Sequence, residues 1–185
     1  MAIQQSADAK AFRDAMGQEV TYMQAHEPQI HYSQSSARDD WARGKPSEHV
    51  SLPTYMDCSS YASYLIWRSC NGDPDLDPSG YGWRQVGNST SIANHAKAHG
   101  LAIPMMEARK YDLCVWSGHH VSVLTQAPSR DPKGPLDHLG TTAKASSHGS
   151  EGGPYFVSVG AEVSYYKGVM PIFVRTVPID YKAPK

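Results

Sequence analysis

Apolar residues near the start of the chain recur at intervals of three or four positions. Four of them share one predicted helix face: Phe12, Met16, Val20 and Met23. This spacing predicts an amphipathic helix over roughly 7–25. The polar, turn-rich stretch from Glu27 to Pro53 is long for a structureless loop, so we expect it to be packed or functional.

A second helix is predicted over 58–69, where Tyr61 and Leu65 mark a broad apolar face. Asp57 or Ser59 can cap its start, because short polar side chains accept hydrogen bonds from the first-turn N–H groups. The segment "NGDPDLDPSGYG" then interrupts regular structure. The following "STSIANHAKAHG" predicts a short third helix that ends with a glycine at its C-cap.

After this helix the pattern changes to short β-branched and aromatic segments. Four predicted strands are "DLCVW", "HHVSVLT", "YFVSV" and "MPIFVRTV". The Gly/Ser/Pro-rich segment between the second and third strands predicts a long surface loop with at most one short strand. Helices followed by strands favour an α+β fold with a mostly antiparallel sheet, and the length of 185 residues suits a single domain over 1–185.

Composition narrows the possible functions. Apolar residues make up 40% of the chain. The formal net charge is −1, so the sequence has no excess of basic residues that would indicate a nucleic-acid partner. The apolar runs are far too short for insertion into a membrane. The first residues contain no apolar segment typical of a secretory signal peptide, so we expect synthesis in the cytoplasm.

The three cysteines, Cys58, Cys70 and Cys114, do not form a disulfide framework, because their number is odd and small. Cys58 lies at the predicted start of the second helix, where the partial positive charge of the N-terminus favours a thiolate. The N–H groups there can also stabilise an oxyanion. The alternative is a small buried hydrophobic residue, which is the interpretation we give to Cys70 at a helix end and Cys114 in a strand.

A nucleophilic cysteine needs a histidine, and "SGHHVSVLT" places two at the start of a predicted strand. Another, His148, follows in "ASSHGSEGGP". The motifs "DCSSY", "YDLCVW" and "GHHV", in this order, resemble the NlpC/P60 cysteine peptidases over roughly residues 10–177. The family register selects His120, directly before Val121, and leaves His119 on the opposite face of the strand.

The resemblance implies a papain-like fold and hydrolysis of a peptide bond in bacterial peptidoglycan stems. Cys58 would be the nucleophile, His120 the base and then the acid, and His148 the residue that orients His120. No metal or other cofactor is implied. The segment "TSIANHAKAHG" and the later strands resemble phage endolysin versions of the family, so we expect release through a holin pore, action on the cell wall and a monomeric enzyme. An injected antibacterial effector would also fit.

The resemblance also implies supporting residues. The backbone N–H of Cys58, with Tyr32, would face the oxyanion, and Asp57 and Ser59 would support the helix start. Tyr32, in "IHYSQSSAR", lies farther from Cys58 than the family's tyrosine does. Tyr55 is closer in sequence but has a different context.

Three other interpretations stay open at this stage. An amidase or acyltransferase on the same fold would use the same Cys/His chemistry, and a non-catalytic wall-binding module would not need it. His95 and His99, four positions apart on a predicted helix, allow a metal-dependent wall hydrolase, although the sequence lacks HExxH and a clear third ligand. The aspartates of "DPDLDPSG" do not match a calcium loop, and we interpret them as solvated turn residues.

Overall fold

The computed structural model describes residues 7–46, 52–127, 140–144 and 154–183. Within these ranges the chain forms four α-helices: α1 (Ala7–Ala25), α2 (Cys58–Ser69), α3 (Ser89–Ala98) and α4 (Val159–Tyr165). The strands of the same ranges are β1 (His31–Tyr32), β2 (Tyr55–Met56), β3 (Ala102–Ile103), β4 (Leu113–Trp116), β5 (His120–Leu124), β6 (Gly140–Lys144), β7 (Pro154–Ser158) and β8 (Ile172–Val174). Short 3₁₀ helices cover Glu27–Gln29, Ser36–Arg43, Pro74–Leu76 and Met105–Glu107.

Six of the described strands form one sheet in the order β3-β8-β4-β5-β6-β7. Every neighbouring pair in this sheet is antiparallel. The expected α+β class with an antiparallel sheet is therefore confirmed. One short strand, β6, does lie within the long segment between the predicted second and third strands.

The helix boundaries follow the sequence pattern closely. The four apolar residues that predicted α1 are all buried. α3 begins with a reciprocal capping box between Asn88 and Ser91, and Gly100 follows its C-cap with a φ of 67°. A glycine is favoured there because the left-handed conformation is costly for residues that carry a Cβ.

α2 lies at the centre of the molecule, and all its residues from Ser59 to Trp67 are buried. It packs against α1, against the 3₁₀ helix Ser36–Arg43 and against one face of β5. Val121 and Val123 of β5 belong to this core. The opposite face of the sheet carries a smaller core with Trp116, Leu124 and the first residue of α4, Val159. Helices therefore cover both faces of the sheet.

The polar stretch after α1 is packed, as the sequence predicted for a segment of this length. Trp41 stacks edge-on against Tyr64, with ring centroids 5.5 Å apart, and its Nε1–H donates to Ser60 Oγ at 2.8 Å. β1 pairs in parallel with β2, which places Tyr32 opposite Met56. This pairing carries Tyr32 to the chain segment that leads into α2.

The helix α4 was not predicted from the sequence. The predicted strand "YFVSV" ends at Ser158, whose side chain accepts a hydrogen bond from Ala161 N–H at 3.1 Å and so caps a helix. Val159, Val163 and Tyr166 have helical spacing. The β-branched residues of this segment concealed that pattern, because they also suit a strand.

The interpretation of the loop aspartates as solvated residues was wrong for Asp73 and Asp77, which are buried. Both carboxylate oxygens of Asp77 accept hydrogen bonds from N–H groups of its own loop, including those of Tyr81 and Trp83. Asp73 accepts a hydrogen bond from Tyr181 Oη at 2.7 Å. These carboxylates organise the turn, because they satisfy backbone donors that the turn would otherwise leave unpaired.

Candidate active site

Cys58 is the first residue of α2, as the sequence predicted, and its side chain is partly exposed. Asp57 caps the helix by accepting a hydrogen bond from Ser60 N–H at 2.7 Å. Such a cap contributes about 1 kcal/mol to stability. The N–H groups of Cys58 and Ser59 have no acceptor within the helix and can therefore serve an anion beside Cys58.

Ser59 supports this cap. Its hydroxyl donates to Asp57 Oδ1 at 2.9 Å and accepts from the Arg38 guanidinium at 2.9 Å. Arg38 also lies 2.5 Å from Asp57 Oδ2, in an ion pair that is largely buried. The start of α2 is thus held by a hydrogen-bonded network. That network includes Asp57 and Ser59, the two residues expected to support it.

His120 opens β5 and is buried. Its neighbour in β4 is Trp116, and residues 117–119 form the turn between the two strands. The imidazole of His120 lies close enough to Cys58 for this residue to raise the pKa of His120. The two residues that the sequence pattern paired therefore meet at the start of α2.

Glu162 of α4 contacts the other side of the same imidazole. Its Oε1 lies 2.9 Å from His120 Nε2, and its Oε2 accepts a hydrogen bond from Ser122 Oγ at 3.2 Å. His120 and Ser122 share one face of β5 because they are two residues apart on a strand. Sequence analysis did not identify Glu162 as a site residue.

The two partners control the charge of His120. Burial disfavours the imidazolium, but the interactions with Cys58 and Glu162 outweigh it and raise the pKa of His120 to about 10. The imidazole is therefore protonated at neutral pH. This is the protonation state from which a histidine can give a proton to a leaving amine.

His119 does not lie on the opposite face of a strand, and that expectation was wrong. It lies in the turn that precedes β5, where its N–H donates to Trp116 C=O at 2.9 Å, and it is exposed. Gly118, with a φ of 80°, permits this turn. The ring of Tyr166 lies 5.8 Å from that of His119 and 6.1 Å from that of His120.

Tyr32 lies close to Cys58, although the sequence separates them widely. Burial, followed by the charges of Cys58 and Asp57, raises the pKa of the Tyr32 phenol. Gln34 Nε2–H donates to the Tyr32 hydroxyl at 2.7 Å and thereby orients it. The parallel pairing of β1 with β2 explains this position.

His148, the expected orienting residue, lies outside the described residues, so its role stays a prediction. The other two cysteines are free and buried. Burial raises the pKa of Cys70 to about 12 and the pKa of Cys114 well above its ordinary value. Neither environment favours a thiolate.

His95 and His99 are the two histidines that the sequence analysis considered as metal ligands. The rings of His95 and His99 lie 4.4 Å apart, and burial, followed by the charge of His99, lowers the pKa of His95. Among the described residues, no three His, Cys, Asp or Glu side chains lie together in a way that could hold a metal ion. Metal independence stays a prediction that a chelation experiment must test.

No protein-family model, curated protein or solved structure matches the chain. Within the described ranges, none of the helices is long and apolar enough to cross a membrane. The fold and site define an α+β protein in which Cys58 lies near His120 and His120 contacts Glu162.

Proposed function

We propose that the protein is a cysteine peptidase of the NlpC/P60 kind, with a papain-like arrangement of helix and sheet, that cleaves an amide bond in peptidoglycan stem peptides. The observation that carries this proposal is the proximity of Cys58, at the start of α2, to His120, whose Nε2 lies 2.9 Å from Glu162. A nucleophile, a neighbouring acid/base and a group that orients the acid/base are what acyl transfer through a covalent intermediate uses.

In the first step, the Cys58 thiolate attacks the amide carbon and the carbonyl oxygen becomes an oxyanion. The Cys58 N–H and the Tyr32 hydroxyl are the donors for this oxyanion. As the C–N bond breaks, the His120 imidazolium transfers its proton to the departing amine. A thioester between Cys58 and the substrate remains.

In the second step, neutral His120 removes a proton from water, and the hydroxide attacks the thioester. The C–S bond breaks, which releases the carboxylic acid and regenerates the thiolate–imidazolium pair. Glu162 keeps the imidazole ring oriented through both steps. We assign to Glu162 the orienting role that the resemblance gave to His148, because its carboxylate is in contact with Nε2.

The substrate class rests on the sequence motifs. "DCSSY" and "GHHV" resemble the peptidoglycan-cleaving peptidases, and "TSIANHAKAHG" with the later strands resembles their phage endolysin versions. The cell wall of a bacterium is accordingly the proposed site of action, after release through a holin pore.

The test is digestion of purified peptidoglycan with wild-type protein and with Cys58→Ala, followed by mass spectrometry of the soluble fragments. We expect wild type alone to release fragments with a new amino and a new carboxyl end within the stem. The fragment masses separate an L-Ala–D-Glu cut from a D-Glu–diaminopimelate cut. A cut between the sugar and the peptide would instead show an amidase, and intact peptidoglycan would contradict the proposal.

An acyltransferase is the second candidate, since the thioester can react with an amine as well as with water. Addition of a primary amine to the digestion distinguishes them. A peptidase gives free carboxyl ends in its presence, whereas an acyltransferase gives the amide of the added amine.

A further inference from the structure

Asp57 creates an electrostatic conflict at the candidate nucleophile. Its carboxylate is needed to cap α2, where it accepts from Ser60 N–H. It is also the residue directly before Cys58, and a negative charge so close to a thiol disfavours the thiolate. The positive end of a helix contributes only about half an elementary charge, so a full negative charge at the cap could cancel it.

Arg38 is placed to remove this conflict. Its side chain is only 14% exposed, and its guanidinium lies 2.5 Å from the Asp57 carboxylate. The same guanidinium donates to Ser59 Oγ at 2.9 Å and to the backbone carbonyls of Val86 and Gly87 at 3.5 and 3.4 Å. These contacts come from two separate segments, 57–59 and 86–87, so the charge of Arg38 is held in a defined place.

The backbone around Arg38 is fastened to α2 as well. The hydroxyl of Ser60 donates a short hydrogen bond to the Arg38 carbonyl oxygen and also accepts from Trp41 Nε1–H at 2.8 Å. The 3₁₀ helix that carries Arg38 is therefore tied to the first turn of α2 through both its main chain and its side chains. A lysine could not reproduce these contacts, because it lacks the planar group with several donors.

We infer that Arg38 is a positioning residue that neutralises Asp57 and thereby keeps the start of α2 favourable for the Cys58 thiolate. Arg38 acts through Asp57 and Ser59, without contact to the reacting atoms. The inference rests on the proposed nucleophilic role of Cys58. It is independent of which amide bond the protein cleaves.

Several other charged or titratable groups surround Cys58. His120, backed by Glu162, lies on the sheet side, and Tyr32 lies on the side of β1. Asp39 is paired with Arg38 Nε at 3.3 Å and adds a second negative charge to the Asp57 side. Arg38 thus balances two carboxylates, and its removal leaves both uncompensated.

The test measures the rate of iodoacetamide labelling of Cys58 against pH, by mass spectrometry of the peptide that contains it. We expect Arg38→Gln to move the acidic limb of this profile to higher pH by about 1 unit. At a given pH on that limb, labelling should be about tenfold slower. Arg38→Lys should recover part of the loss. Arg38→Gln combined with Asp57→Asn should return the limb toward wild type, because asparagine still caps the helix without a charge.

Two outcomes overturn the inference. One is an unchanged profile in Arg38→Gln. The other is a double variant as slow as the single one, which would show that the effect comes from lost structure and not from charge. If Arg38→Gln fails to fold, Asp57→Asn alone provides a separate measurement. The acidic limb of its labelling profile should lie at lower pH than that of wild type. Labelling that follows these expectations while peptidoglycan stays intact would contradict the proposed substrate and leave the role of Arg38 standing.

Discussion

His120 Nε2 and Glu162 Oε1 lie 2.9 Å apart, in a contact that joins the first residue of β5 to the middle of α4. Both side chains are about one-tenth exposed, at 10% and 9%, so water screens the contact weakly. The same imidazole lies near Cys58. A carboxylate in this position fixes the ring orientation and favours the imidazolium.

Glu162→Gln should lower the pKa of His120 from the raised value of about 10, because the amide keeps the shape of the side chain without its charge. NMR titration of the His120 ring proton measures this directly. Glu107→Gln is the matched control, since Glu107 is an exposed carboxylate paired with Arg175 elsewhere on the surface. An identical His120 titration in Glu162→Gln and wild type would contradict the assignment.

The raised pKa also predicts the pH dependence of stability. A histidine whose pKa is higher in the folded state stabilises the fold fully below its unfolded pKa of about 6.5, and the contribution is lost as the pH rises toward about 10. The difference in free energy of unfolding between wild type and Glu162→Gln should therefore shrink over this range. Urea unfolding at several pH values measures the difference, and an advantage that grows with pH would refute the prediction.

Cys58→Ala should abolish peptidoglycan hydrolysis while the protein stays folded, because alanine removes the nucleophile and retains the helix. Iodoacetamide should label Cys58 much faster than Cys70 or Cys114, whose burial raises their pKa. Cys70→Ala and Cys114→Ala serve as controls and should retain hydrolysis with some loss of stability. Substantial hydrolysis by Cys58→Ala would exclude the proposed mechanism.

His120→Ala should reduce hydrolysis by about a hundredfold to ten-thousandfold, the range usual for loss of an acid/base group. His119→Ala is the matched control, because this adjacent histidine is exposed in the turn. We expect a mild effect from it. Equal losses in the two variants, measured as initial rates on the same peptidoglycan, would contradict the selection of His120.

Hydrolysis should survive EDTA and fall with thiol alkylation, because the proposed reaction uses the Cys58 thiolate as nucleophile. The measurement compares turbidity loss of a cell-wall suspension after each treatment. Loss of activity in EDTA with recovery on addition of zinc would favour a metal-dependent hydrolase. His95→Ala would then show whether the α3 pair is involved.

Local sequence pattern was sufficient for much of the fold. Helical spacing of apolar residues predicted α1, and the capping residue Asp57 with the apolar run behind it predicted that α2 begins at Cys58. These features depend on residues within one or two turns of one another. The position of His120, directly before Val121 at the start of a strand, could be predicted for the same reason.

The sequence by itself thus determined that a thiol lies at a helix N-terminus and that a histidine opens a strand. Only the tertiary structure decided which groups complete the site. Glu162 reaches His120 because the chain passes through β6 and β7 and then folds α4 back over the sheet. Tyr32 and Arg38 reach the start of α2 through the packing of the segment after α1. Such contacts depend on strand order and on the burial of whole elements, and neither is encoded in local periodicity.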